Sequence, residues 1–260
     1  MAGIQKITEA QLRHLAGEKG YNVAYLEKDY FLTALLYLLR EADGLCFKGG
    51  TALNKLVFNH TRLSEDLDFT CTGGIGRIKK RVEGIAKENP GLFTKVSTGR
   101  QTGKFARLHV HYQSYFGENE FVNVDLNAHA KIYLEPERRQ VKHFYAEIPA
   151  FSTSMLNQKE LVAEKIRALF QRKQPRDYFD AYQLIKSGQK IDLKLVKAKL
   201  AEIGMAYDPQ RIFKNANKVY SHWEQEIGAL TNKPVAYHTA IQAIVKQFQY
   251  KQRPKRKKKT

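Results

Sequence analysis

Phe47-Lys48-Gly49-Gly50-Thr51-Ala52-Leu53-Asn54-Lys55, followed by Ser64-Glu65-Asp66-Leu67-Asp68-Phe69, is the stretch on which the fold turns. The apolar residues from Gly44 to Lys48 read as a short buried strand running into a glycine turn, and Thr51–Phe58 as a helix beginning right after it. Asp66–Cys71 is a strand by alternation, with Leu67 and Phe69 opposing the two aspartates. Asp66 and Asp68, two residues apart, leave the same face of that strand. Carboxylates so close repel unless a cation lies between them, and oxygen ligands with an incomplete shell suit Mg²⁺. Ser64, two residues earlier, can share the face. Gly49 and Gly50 allow close backbone approach, amides at a helix start bind anions, and Thr51 adds a hydroxyl. Taken singly, Gly-Gly-Thr also makes an ordinary turn with a cap, and Asp-x-Asp also makes the solvated side of a strand. Strand, Gly-Gly-Thr, helix and Asp-x-Asp in that order place a phosphate cradle beside a metal site.

Working outward, Ala24–Arg40 carries Leu26, Tyr30, Phe31, Ala34, Leu35 and Leu38 on one stripe of period 3.6, a strong helix signal. Ile75–Asn89 reads as a basic amphipathic helix closed by Asn89-Pro90-Gly91. Strands are expected over 93–99, 104–115 and 120–129, with 143–149 as a last one. Around Pro149 the period changes from 2 to 3.6. Residues 159–173 are helical, Pro175 interrupts, and 176–188 form a second helix ending at Gly188. The expectation is an α+β protein: a first domain over 1–148, a mostly helical one over 149–250, and a solvated basic tail over 251–260.

Composition limits the function. With 260 residues, 43% of them hydrophobic, the chain is long enough for a sizeable core. Cys46 and Cys71 are too few for a disulfide framework or a four-cysteine zinc site. The start lacks an apolar leader, and the longest apolar run, Phe31–Leu39, falls short of the roughly 20 residues of a membrane span. A cytoplasmic protein is therefore expected, with no membrane partner. The net charge is +18, and without the last ten residues the remaining 250 still carry +11. A basic body favours a polyanionic partner, most simply nucleic acid.

Several further residues bear on chemistry. Asp125 projects from the polar side of a strand whose other side is Val122, Val124 and Leu126, and it is a candidate third carboxylate or a surface aspartate. Lys165 lies four after Leu161 and four before Leu169, on the apolar stripe of its helix. A lysine there either snorkels to the edge or points into a cleft, where a triphosphate would be its partner. Asp177 and Asp180 share a helix face. Asp177 can cap the helix, and either can hold Lys165, Arg172 or Arg176. His109 and His111 share a strand face, but two ligands do not make a zinc site.

FKGGTALNK, RLSEDLDF and EKIRALFQRKQPRDYFDAY, together with LEKDYFLTALL, closely resemble the AbiEii/AbiGii-type toxin nucleotidyltransferases, a group that includes MenT-like toxins. The resemblance covers roughly residues 25–185 in ordered blocks, and the combination is specific. It implies a DNA polymerase β-like domain, a mixed sheet with flanking helices, followed by a helical C-terminal domain. It also implies a toxin of a type IV toxin–antitoxin or phage-defence system that moves NMP from an NTP to RNA, with the tRNA 3′ end as acceptor and translation blocked. Mg²⁺ is the implied cofactor and an antitoxin the implied partner; a monomer is the expected state. By the same resemblance Gly49, Gly50 and Thr51, with Lys48, Ser64, Arg176 and Asp177, would form the nucleotide site. Asp66 and Asp68 would hold metal, with Asp125 a third ligand and base. Lys165 would meet the phosphates, and Asp177 or Asp180 would be the later acidic residue. Ser64 stands where a family serine can be modified. Two other readings stay open: nucleotidylation of a protein or small molecule, which the basic charge disfavours, and a nucleic-acid-binding module without catalysis.

The basic tail yields a first prediction. Deleting Lys251–Thr260 should weaken RNA binding and flatten its salt dependence. An unchanged slope of log Kd against log salt would show that the tail does not touch RNA.

Overall fold

The computed structural model describes residues 4–72, 74–214 and 216–248, and the tail expected over 251–260 lies outside them. Two helices lead, α1 (Glu9–Lys19) and α2 (Val23–Leu39). Thr8 and Gln11 close a capping box on α1, and Asn22 caps α2 through the amides of Ala24 and Tyr25. The strand expected before the glycines is β1 (Leu45–Lys48). Helix α3 (Gly49–Ala52) begins at the glycines themselves, earlier than predicted, and continues as a π turn over Leu53–Val57. Next come β2 (Asp66–Cys71), α4 (Ile75–Glu88), β3 (Lys95–Thr102), β4 (Phe105–His111), β5 (Phe121–Asn127), β6 (Glu137–Gln140) and β7 (Ser152–Met155). The chain then turns helical: α5 (Gln158–Gln171), α6 (Pro175–Lys186), α7 (Leu193–Ala201), α8 (Gln210–Phe213), α9 (Ala216–Leu230) and α10 (Tyr237–Gln247).

The seven strands form one mixed sheet in the order β3-β4-β5-β2-β1-β7-β6. β2 runs parallel to β5 and antiparallel to β1, while β7, which follows Pro149, runs parallel to β1. Alternation on β4 and β5 buries Leu108, Val110, Val122, Val124 and Leu126 on one side and frees the other for polar residues. The mostly apolar α2 packs beneath that core, with Leu26, Phe31, Leu35 and Leu36 fully buried. No helix among the described residues is long and apolar enough to cross a membrane.

The strand expected over 143–149 is not formed. The aromatic residues that suggested it are used otherwise: Tyr145 packs edge-on against Tyr30 at 5.2 Å, and Phe144 against Tyr21 at 6.1 Å. The segment's lead-in bonds to the π turn through Lys142 N–H and the Lys55 carbonyl, so it drapes over α2 and joins no ladder. The strands on that side of the sheet are β6 and β7.

A buried ion pair ties the same corner together. Lys55 of the π turn reaches Asp29 of α2 at 2.7 Å, both side chains almost wholly buried. The Tyr145 hydroxyl donates to the same carboxylate at 2.9 Å. Burial pushes the Lys55 ammonium below its ordinary value, and Asp29 opposes that. Removing one partner leaves the other charge buried alone, which costs about 3–5 kcal/mol. Asp29→Ala should therefore lower unfolding stability by that amount, and Asp29→Leu with Lys55→Met should recover most of it. Urea unfolding of the three proteins tests this; equal losses in single and double variants would contradict it.

Candidate active site

Cross-strand register builds the site. Lys48 of β1 stands opposite Asp68 of β2, Asp68 beside Asp125 of β5, and Asp125 opposite Arg107 of β4. Directly paired residues share a face, so the four form one row: cation, anion, anion, cation. One step along, Asp66 pairs with Asn123, whose amide donates to Asp66 Oδ1 at 2.8 Å. The sequence placed Asp66 and Asp68 on one face, and the parallel β2–β5 pairing adds Asp125 to it.

The two aspartates of the row are not equally placed. Asp125 accepts two hydrogen bonds from Arg107, at 2.7 and 2.6 Å. Asp68 makes no side-chain hydrogen bond or ion pair among the described residues. Burial, then Asp125 and Asp66, push its carboxyl up to about 6. Such an acid is the kind of group a divalent cation would stabilise. As the side chains stand, no group of three histidine, cysteine or acidic residues among the described ones is drawn together around an ion position. Arg107 is the physical reason for Asp125: it occupies both carboxylate oxygens. The donor set fits a metal through Asp66 and Asp68, with Asp125 available once Arg107 lets go.

The glycines serve these carboxylates. Gly49 has φ +80°, and a Cβ there would lie 2.1 Å from Asp68 Oδ2. A Cβ on Gly50 would lie 2.5 Å from Arg62 Nη2. Thr51 is buried, and its hydroxyl donates to the Asp66 carbonyl at 2.6 Å. The turn is thus locked to the aspartate strand, and the Thr51 proton expected to be free for a phosphate is already committed.

Behind the carboxylates lies a buried ionic network. Lys165 of α5 neither snorkels nor stands alone: it pairs with Asp177 at 3.0 Å and Asp180 at 2.9 Å, both on α6. Arg62 grips Asp180 with two bonds of 2.8 Å and also donates to Ser64 Oγ at 3.3 Å. Arg172 grips Asp177. Burial raises both acids, but the cations outweigh it: Arg62 and Lys165 hold Asp180 near 2, and Lys165 and Arg172 hold Asp177 below the usual range. Asp177 therefore caps nothing. Of the three cations expected as alternatives, Lys165 and Arg172 are the ones these acids hold; Arg176 goes to Glu226 and Glu65 at 2.8 and 3.2 Å. Lys48 reaches Glu164 at 3.5 Å, and Glu164 in turn meets Lys199.

Two lobes open onto the row. The smaller, about 90 Å³, is lined by Gly50, Thr51, Ser64, Asp66, Arg176 and Asp177 among others. The larger, about 480 Å³, includes Lys48, Gly49, Phe105, Asn127 and Arg167. Gly50, Asp68, Asp125, Lys165 and Arg172 border both. Every residue assigned to the nucleotide or metal site in the sequence lies at or directly behind this cleft, whereas His109 and His111 pack against Phe121 outside its lining. Sequence reading missed Arg62, Arg107 and Glu164. Arg62 sits in a loop without period, Arg107 alternates among apolar neighbours like any surface residue, and Glu164 looks like an ordinary helix face.

The cleft thus brings together paired carboxylates, a glycine turn and a buried lysine. Residues 30–250 match the family described as nucleotidyl transferase AbiEii toxin of type IV toxin–antitoxin systems, and the chain belongs to that family. It is a nucleotidyltransferase, and the family implies a nucleotide substrate and a cognate antitoxin. Among solved structures it is similar to MenT4, a nucleotidyltransferase toxin from Mycobacterium tuberculosis H37Rv, at 21% identity and TM-score 0.69, over 94% of this chain and 89% of that one. It is also similar to JHP933 from Helicobacter pylori, at 18% identity and TM-score 0.59, over 88% and 93%. These likenesses show a shared fold, the mixed sheet with flanking helices expected from the sequence. No curated protein matches the chain.

The elevated acid gives a pH prediction in metal-free buffer. Asp68 binds its proton more tightly folded than unfolded, so its protonation stabilises the fold as pH falls through about 6 toward 4. That stability is lost as pH rises through about 6. Asp68→Asn should remove this part of the pH dependence and raise stability at pH 7.5 by about 1–2 kcal/mol. Urea unfolding at pH 5 and 7.5 measures both, and a variant that keeps the wild-type pH dependence would contradict it.

Proposed function

We propose that this enzyme transfers NMP from an NTP to an RNA acceptor, with the tRNA 3′ end as the target and a block of translation as the toxic outcome. The observation that carries the reading is the row Lys48–Asp68–Asp125–Arg107 with Asp66 beside it, bordered by the glycine turn and Lys165. The acceptor hydroxyl attacks the α-phosphorus and pyrophosphate leaves. Asp66 and Asp68 would hold Mg²⁺, with Asp125 as a third ligand. When bound, the ion supplies neutralisation of phosphate charge and eases ionisation of the attacking hydroxyl.

The chain's own residues do the positioning. Gly50, Thr51 and Ser64 shape the smaller lobe against the triphosphate. An ammonium has three N–H bonds; Lys165 gives two to Asp177 and Asp180 and keeps one for a phosphate oxygen. Asp177 and Asp180 are in this account positioning residues, since Arg62, Arg172 and Lys165 occupy their carboxylates. The charge of +18 supports RNA as the acceptor. Lys79, Lys80 and Arg81 on α4 offer backbone contacts of the kind that carry little base specificity.

The test is transfer of label from each of the four α-labelled NTPs to total tRNA in Mg²⁺. Asp68→Asn and Lys165→Met should each lower transfer at least about 100-fold, and EDTA should abolish it. Label on protein instead of RNA would move the reading to protein nucleotidylation. Undiminished transfer in Asp68→Asn would remove this site from the reaction.

A further inference from the structure

We propose that the larger lobe is the acceptor subsite, which takes the 3′-terminal nucleoside of an RNA strand with its base stacked on Phe105. This rests on the reading of the row as the place of transfer. In-line displacement puts the attacking hydroxyl and the departing pyrophosphate on opposite sides of the α-phosphorus. The two lobes lie on opposite sides of Asp68 and Asp125. The smaller reaches back to Ser64 and Asp66, at the entry of β2. The larger reaches forward to the paired residues Phe105 and Asn127, at the exit of β5. Lys48 and Gly49 line only the larger side and Gly50 borders both, but Thr51, Ser64 and Arg176 line only the smaller; two hydroxyls and a guanidinium suit the triphosphate, which leaves the larger side to the strand that attacks.

The larger lobe has the chemistry for a nucleotide. Its volume of about 480 Å³ falls in the ordinary range for small-ligand sites, about 300–1,000 Å³. Phe105 is half-buried at its wall and, among the described residues, has neither a ring nor a cation stacked on it. Asn127 uses its Oδ1 on the amides of His129 and Ala130, so its NH₂ remains to donate. Arg167 makes no ion pair among the described residues, and its Nε is buried without a partner. A guanidinium without an ion pair, lining the same lobe as an unstacked ring, suits a phosphate and the base attached to it. The nucleoside of an NTP would bring its phosphates to the row, not to Arg167, so the cation favours the acceptor strand. Lys104, adjacent to Phe105, and Arg100 across the β3–β4 hairpin are exposed and continue the positive surface outward.

The test uses a short single-stranded RNA with 2-aminopurine as its 3′-terminal base, free 3′ hydroxyl included. Binding to the full chain should quench its fluorescence, whereas the same probe base at the 5′ end should stay bright. Phe105→Leu keeps an apolar side chain at a half-buried strand position; it should abolish the quenching and weaken RNA binding about tenfold. Arg167→Gln should weaken binding and lower the salt slope by about one phosphate contact. NTP affinity, measured separately, should be unchanged in both variants. Absence of quenching in the wild type, or loss of NTP affinity in place of RNA affinity, overturns the assignment; the latter would give the lobe to the incoming nucleotide. Quenching that depends on Phe105 in a protein that labels no RNA supports the subsite and counts against the transfer reaction instead.

Discussion

Two carboxylates in direct cross-strand register, Asp68 and Asp125, are the constraint around which this structure is arranged. Like charges placed opposite one another on neighbouring strands cost stability, and the sheet flanks them with Lys48 on one side and Arg107 on the other. The compensation is uneven. Arg107 takes Asp125 fully, while Asp68 is left with a carboxyl pushed up to about 6. A site that disfavours its own ionised form without a counter-ion is prepared to bind one.

The second arrangement holds the helices to the sheet. Arg62, from the loop leading to β2, binds Asp180; Lys165 joins Asp180 to Asp177; Arg172 closes the chain. Five charged groups, nearly all buried, fix α5, α6 and the approach to the aspartate strand in one geometry. Buried ion pairs of this kind add little net stability, but they are strongly specific about position, because breaking one strands another. The consequence for function is that Lys165 arrives at the cleft with its orientation already set.

Much of this was legible in the sequence, for reasons that differ by residue. Asp66 and Asp68 share a face because strand period is 2, and no tertiary information is needed. The strand–Gly-Gly-Thr–helix–strand order was enough to expect a phosphate cradle beside a metal site, whereas the family resemblance took that stretch together with LEKDYFLTALL and EKIRALFQRKQPRDYFDAY. The role of Asp125 needed the β2–β5 register, which no spacing along the chain encodes. The glycines were assigned to a phosphate, yet they are demanded by Asp68 and Arg62 within the protein. Arg62, Arg107 and Glu164 were silent because their partners lie 118, 18 and 116 residues away, at Asp180, Asp125 and Lys48. The false strand at 143–149 arose because aromatic residues signal burial and not the ladder that buries them.

The central claim is that Asp66 and Asp68 form the metal-binding edge of a nucleotide cleft closed by Lys165. A crystal structure with Mn²⁺ and a non-hydrolysable NTP analogue, located by manganese anomalous scattering, tests it most directly. The account predicts manganese on the Asp66 and Asp68 carboxylates, with Asp125 turned from Arg107 toward it and the triphosphate between Gly50 and Lys165. Manganese absent from these aspartates while the nucleotide binds elsewhere would contradict it.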